Sequence, residues 1–174
     1  LTWDDFNTQL RHHNACNTLN VLLARGVVPI INENDTISTD EIKFGDNDKL
    51  SAMVAAMAEA SLLVMLSDVD GLYKKEGGKL TEKIGEIHEI TDEIKSMAGG
   101  ARDINFSKGG MITKLNAAQI ALSADVPCII ANGQTPDVIR RIVLDREPLG
   151  TYFFEKSGKV KKTSLPVYKD EATL

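Results

Sequence analysis

Only two cysteines, Cys16 and Cys128, occur in this 174-residue chain, and only three histidines. Neither cysteine has a neighbour at a metal-ligand or disulfide spacing, so a zinc site and a disulfide framework are both excluded, and a reducing cytoplasm is the expected setting. Aromatics make up 5% of residues, with none of the aromatic–basic interleaving of a nucleic-acid face. Positive charge is not in excess: the formal net charge is −5, which argues against a partner recognised by phosphate neutralisation. No apolar run approaches the roughly 20 residues of a membrane-spanning helix, and the polar, amphipathic N-terminus does not read as a signal peptide. The expectation is a protein with no nucleic-acid and no membrane partner. What remains is ordinary for a globular domain, 43% hydrophobic and 26% charged, and long enough to bury a core.

The pattern that organises the chain runs from Asn32 to Asp48, a segment dominated by Asp, Glu and Asn in which only Ile37, Ile42 and Phe44 are large and apolar. It cannot be core. Val27–Ile31, β-branched and flanked by breakers, precedes it and predicts a buried strand, although Pro29 sits awkwardly there. A helical pattern over Lys49–Leu63 follows, with Leu50, Met53, Val54, Met57 and Ala58 on one face. Polar loops between a strand and a helix form the ligand sites of open α/β sheets. Asp46, Asn47 and Asp48 would serve as helix caps. Three such residues after Gly45, near a second acidic cluster, exceed what a cap needs.

Before this loop, Thr2 is placed to cap a helix whose apolar stripe includes Phe6, Leu10, Ala15, Leu19, Leu22 and Leu23, and Gly26 is placed to end it. Beyond it, Leu62–Leu66 predicts a second buried strand. Ser67-Asp68-Val69-Asp70-Gly71 then reads equally as an Asp-Gly turn or as ligand contacts at a strand's carboxyl end. Lys74–Lys79 reads as an exposed excursion, Leu80–Ile90 as room for a short strand, and Asp92–Ala98 as a short helix capped by Thr91. Ser107-Lys108-Gly109-Gly110-Met111-Ile112-Thr113-Lys114 is a second loop that runs into a helix over Leu115–Ala124. Its glycines allow backbone N–H groups to approach an anion, the helix start adds positive potential, and Lys108 and Lys114 supply full charges. It lacks the Walker spacing, and a Gly-Gly turn also serves as a plain helix start. Val126–Ala131 predicts a strand, Thr135 a cap for a helix over Pro136–Leu144, and Gly150–Phe154 a last strand.

Alternation of this kind predicts an α/β domain with a largely parallel sheet flanked by helices on both faces. Its polar loops at Asn32, Ser67 and Ser107 should gather at one edge. Carboxylates beside a Gly-Gly-Lys anion site suggest phosphate chemistry with a divalent cation, and oxygen ligands suit Mg2+.

Several motifs together resemble the amino acid kinase family, and within it the glutamate-phosphorylating branch. They are Ile30-Ile31-Asn32-Glu33-Asn34-Asp35, Phe44-Gly45-Asp46-Asn47-Asp48-Lys49-Leu50-Ser51-Ala52, Leu66-Ser67-Asp68-Val69-Asp70-Gly71-Leu72-Tyr73, Gly109-Gly110-Met111-Ile112-Thr113-Lys114 and Gly150-Thr151-Tyr152-Phe153. The resemblance implies a three-layer α/β/α fold of the carbamate kinase type and an ATP-dependent transfer of phosphate to the γ-carboxylate of L-glutamate, the step that opens proline biosynthesis. It implies a glutamate-binding loop over 32–48 that uses Asp35, Asn47, Asn34 and Asp46. It implies a nucleotide-binding portion over about 62–154 that uses Ser67, Asp68, Lys108, Gly109, Gly110, Met111, Ile112, Thr113 and Lys114. Asp48 and Lys114 would be the catalytic pair, with ATP and Mg2+ as cosubstrate and cofactor and no metal ligand assigned. Inhibition by proline, assembly into a homo-oligomer and a cytoplasmic location come with it. Ser107-Lys108 stands where the family usually has Gly-Thr. The family's opening strand, with its lysine and Gly-Ser-rich phosphate turn, is not matched, so residues 1–154 read as a partial kinase domain followed by a tail over 155–174, without the RNA-modification-type domain of many relatives. The alternatives are a catalytically inactive fragment that retains ligand binding or a subunit-interaction role, and the kinase part of a bifunctional proline-pathway synthase.

Overall fold

The computed structural model describes residues 1–34, 47–76, 79–98 and 110–155. The expectations at Asp35, Asp46, Lys108 and Gly109, and the tail beyond Glu155, lie outside them. The helical start is two helices, α1 (Asp4–Asn7) and α2 (Gln9–Ala24), parted by Thr8 in an extended conformation. Asp5 reaches back to the N–H and hydroxyl of Thr2 at 2.7 and 3.0 Å, the carboxylate half of a capping box. α2 ends as Gly26 predicts: Gly26 adopts φ +70°, and the Val27 and Gly26 N–H groups donate to the Leu22 and Leu23 carbonyls at 3.0 Å each, a Schellman closure.

Helix α3 (Asn47–Met57) leads to strand β1 (Leu63–Ser67); then come β2 (Leu72–Glu76), β3 (Lys79–Ile84), β4 (Glu86–Ile87), α4 (Asp92–Ala98), α5 (Met111–Ser123), β5 (Cys128–Asn132), α6 (Val138–Val143) and β6 (Thr151–Phe153). The main sheet has the order β1-β5-β6-β4. β1 and β5 are parallel, as are β4 and β6, while β5 and β6 run antiparallel. The sheet is therefore mixed but mostly parallel. Period-2 alternation sends Leu63, Met65, Cys128 and Ile130 to one face, where Ala52 and Ala55 of α3, Leu115, Ala117, Ala118 and Ala121 of α5 and Ile94 of α4 cover them. Val64, Ile129 and Ala131 face the other way, onto Val138 and Ile142 of α6. Helices thus cover both faces, as expected.

Several expectations need correction. The helix expected over Lys49–Leu63 stops at Met57, and Leu63 opens β1. Val27–Ile31 is not a strand. A strand exists only through a ladder, Pro29 has no N–H to offer, and the backbone contacts near this segment are the α2 closure and a pairing of Leu1 with Asn32 and Asn34. Val28 and Ile30 are 84% and 98% exposed, while Pro29 and Ile31 line a groove of about 640 Å³ with Leu19 and Leu22. The stretch expected as an exposed excursion is exposed at Lys74 and Lys79 but is paired, as part of an antiparallel hairpin of β2 and β3, for which Gly77-Gly78 between charged residues was the available signal. Finally, α6 begins at Val138, not Pro136: Asp137 turns left-handed at φ +54°, and Thr135 contributes its carbonyl to the Val138 N–H at 3.2 Å.

Thr151 ties the hairpin to the sheet. The buried Thr151 hydroxyl donates to the Ile84 carbonyl at 2.6 Å and accepts the Leu72 N–H at 2.8 Å. Gly150 beside it has φ +84°, and a Cβ there would collide with the Ile130 carbonyl of β5. Close approach and left-handed backbone both require glycine. Gly150→Ala is expected to lower unfolding free energy by more than about 2 kcal/mol, read as a reduced urea midpoint with an unchanged slope; a midpoint within error of the parent would refute the packing argument.

Candidate functional site

α3 and α5 begin close together. Asp48 lies in the first turn of α3 and Lys114 in the first turn of α5, and the Lys114 ammonium sits 3.1 and 2.9 Å from the two Asp48 carboxylate oxygens. Both side chains are largely withdrawn from water, 10% and 16% exposed for Lys114 and Asp48. Pairs in such surroundings are screened far less than surface pairs. The Thr113 hydroxyl lies 2.9 Å from Asp48 Oδ2, and the Ser51 hydroxyl donates to the Asp48 carbonyl at 2.7 Å. The Lys49 ammonium stands 4.2 Å above the Trp3 ring, a cation–π contact that ties the N-terminal segment to α3.

Local sequence explains this arrangement. Gly110 takes an extended conformation as the α5 N-cap, so Met111 to Lys114, expected as loop, form the first helical turn. The N–H groups of Met111 and Ile112 then have no intrahelical acceptor. The positive ends of two helices converge beside one ammonium and one carboxylate, and the net field there suits an anion. Beneath them lies Cys128, whose thiol burial pushes up to about 12, the Asp48 charge adding to the effect; it is inert core rather than a nucleophile.

The other predicted residues divide into two groups. Asn34 is exposed and donates its backbone N–H to the Leu1 carbonyl at 2.8 Å; Asn47 is the exposed first residue of α3. Ser67 ends β1, with its hydroxyl 3.0 Å from Asp68 Oδ1. No hydrogen bond or ion pair among the described residues joins Ser67 or Asp68 to Asp48 or Lys114. Their partner is Asn132, which is opposite Ser67 in the β1–β5 register. Its amide donates to the Asp68 carbonyl at 3.3 Å and its Oδ1 accepts the Gln134 N–H at 2.8 Å. The sequence reading took Asn132-Gly133 as a plain turn. The signal for more was its place at the carboxyl end of a strand parallel to β1.

Among the described residues no three His, Cys, Asp or Glu side chains gather into a metal cage, and both Asp48 oxygens face Lys114. These residues do not by themselves fit a protein-held Mg2+. Among them, too, no helix is long and apolar enough to cross a membrane.

The fold is one that solved α/β/α structures share. Carbamate kinase from Giardia lamblia, solved bound to AMP-PNP, superposes with a TM-score of 0.54 at 20% identity, over 80% of this chain and 44% of that one. UMP kinase from Bacillus anthracis superposes with a TM-score of 0.53 at 17% identity, over 81% and 51%. At such identities the likeness is one of fold. The amino acid kinase family model matches residues 2–132, and the chain belongs to the amino acid kinase family. Among its relatives, glutamate 5-kinase of Clostridium perfringens is 44% identical over 165 residues, covering 91% of this chain and 61% of the relative. That of Lactococcus lactis subsp. lactis is 47% identical over 163 residues, covering 90% and 60%. The chain thus spans about three-fifths of the length of these relatives.

Removing one member of the buried pair strands the other. Lys114→Met is expected to cost roughly 3 kcal/mol of stability, and adding Asp48→Asn should recover part of that loss. Urea unfolding of the two single variants and the double variant would read this. Strictly additive losses would show that the two groups do not interact.

Proposed function

We propose that this chain carries the phosphoryl-transfer site of an enzyme that uses ATP to phosphorylate the γ-carboxylate of L-glutamate. The observation that carries this reading is the largely buried Lys114–Asp48 pair at two converging helix starts, in a chain whose relatives at 44% and 47% identity are glutamate 5-kinases.

The chemistry asks little covalent work of the protein. A γ-carboxylate oxygen of glutamate attacks the terminal phosphorus of ATP, the bond to the bridging oxygen breaks, and ADP leaves with that electron pair. The nucleophile is already an anion, so no strong general base is needed. Two anions must be brought together, and charge builds on the transferring group. Lys114 neutralises that charge, and Asp48 holds the ammonium in place; positioning and electrostatics supply the catalysis. Asn34 and Asn47, with Asp35 and Asp46, hold the amino acid. Gly110, Met111, Ile112 and Thr113, with Lys108 and Gly109, offer N–H groups and charge to the nucleotide phosphates. Ser67 and Asp68, braced by Asn132, take the rest of the nucleotide. The acyl phosphate product is hydrolytically labile, so a site that excludes water protects it. A cytoplasmic setting, assembly of identical chains and inhibition by proline belong to the same reading.

The test is hydroxylamine trapping of acyl phosphate, with ATP, magnesium and glutamate supplied, on the 174-residue chain and on the protein expressed from its complete reading frame. Glutamate-dependent hydroxamate is expected from the latter. In it, Lys114→Ala should lower kcat at least roughly 100-fold with a much smaller change in the KM for glutamate. Asp48→Ala should abolish turnover in a protein that still folds, at reduced stability because Lys114 loses its partner. Hydroxamate that forms without glutamate, or near-parent turnover by Asp48→Ala, would refute the assignment.

A further inference from the structure

Asp48 and Lys114 are not the whole of this part-buried cluster. The Thr113 Oγ1 lies 2.9 Å from Asp48 Oδ2 and 2.6 Å from the Gly110 carbonyl oxygen. Both are acceptors, and a hydroxyl has one proton to donate. The Gly110 carbonyl is already served: it accepts the Thr113 N–H at 3.1 Å and the Lys114 N–H at 3.4 Å. The carboxylate is paired with the Lys114 ammonium and largely withdrawn from water, and bonds to charged acceptors are roughly twice as strong as neutral ones. Helical threonine splits between two χ1 rotamers, one of which sets its hydroxyl against a carbonyl three or four residues back. The position that reaches Gly110 is also the one that reaches Asp48.

We propose that Thr113 is a positioning residue for the Asp48–Lys114 pair, its hydroxyl donating to Asp48 Oδ2. The bond fixes the plane of the carboxylate. With Oδ2 held from one side, both oxygens stay turned toward the Lys114 ammonium, and the ammonium keeps one location. Without it the carboxylate is free to rotate about its Cβ–Cγ bond, and the lysine, with four rotatable bonds, follows. The inference rests on the transfer reading above for its consequence in turnover, but the bond itself is a matter of structure. It also gives Thr113 work distinct from the nucleotide contact that the family resemblance implies.

The experiment compares Thr113→Val, which keeps shape and loses the hydroxyl, with Thr113→Ser, which keeps the hydroxyl, in the protein expressed from its complete reading frame. Thr113→Val should lower kcat roughly ten-fold or more with the KM for ATP and for glutamate within about three-fold, and Thr113→Ser should stay within about three-fold of the parent. A raised KM for ATP with kcat unchanged would mean that the hydroxyl serves the nucleotide, and parent-like kcat would mean that it serves nothing; either overturns the proposal. A second readout needs no activity. Thr113→Val should lower Tm by roughly 3 to 6 °C when Asp48 is present and by clearly less in an Asp48→Ala background, where the hydroxyl is left only the Gly110 carbonyl. An equal drop in both backgrounds would assign the hydroxyl to the Gly110 carbonyl alone and overturn the proposal. If Thr113→Val does not fold, Thr113→Ala enters the same two comparisons. If the parent protein shows no glutamate-dependent turnover, the transfer reading fails by itself, while the unfolding comparison still decides the bond.

Discussion

The site depends on how closely α3 can lie against α5. Along the buried seam the residues are small: Ala52 and Ala55 from one helix, Ala117, Ala118 and Ala121 from the other, all inside one core cluster. Interhelical distance follows side-chain size at the contact, and alanine permits the near limit. Asp48 has a short side chain, so its carboxylate meets Lys114 only if the two helix starts are drawn together. A Leu or Met in the seam would part them and open the pair. The sheet beneath is cut to the same measure. Cys128 and Ile130 of β5 and Met65 of β1 form the floor on which both helices rest, and Gly150 lets β6 close against β5 without displacing it.

Much of this frame was readable from residue pattern. Short apolar runs placed β1 and β5, Thr91 placed the start of α4, and Gly26 placed the end of α2, because each of those features is a local rule obeyed locally. Other helix ends carried no such mark. α3 and α5 close with the same Schellman bonds as α2, yet the left-handed residues are Glu59 and Asp125 rather than glycine, so tertiary packing there overrides backbone preference. Val27–Ile31 failed as a strand for a different reason. Its composition was right, but pairing is not a property of one segment.

The site was legible in two unequal parts. Loop composition and the Gly-Gly-Lys pattern pointed to an anion site at a helix start, and that much followed from the residues. The partnership of Asp48 with Lys114, 66 residues apart, came only from likeness to a family, since no periodicity reaches so far. The Thr113 bond to Asp48 was invisible to both. A threonine at the third position of a helix is ordinary on the page. Only the meeting of two helices puts a carboxylate within reach of its hydroxyl. Asn132 is a parallel case, an Asn-Gly turn until the register sets it opposite Ser67.

A buried ion pair is an inefficient way to join two helices, because desolvation offsets much of the attraction, and well-packed apolar residues of similar volume often hold as well or better. Here the alanine seam, with Leu115 in the same core cluster, already joins α3 to α5. Stability alone therefore gives no reason for an ammonium and a carboxylate at the mouth of that seam. The pair stands where two positive helix ends converge, in a setting that screens charge weakly. On the proposed reading, an ammonium held there by a carboxylate keeps its location while an anion arrives, with little reorganisation required at the moment of reaction. On the proposed reading, the apolar seam fixes the distance between the helices, the pair fixes the charge, and the Thr113 hydroxyl fixes its orientation.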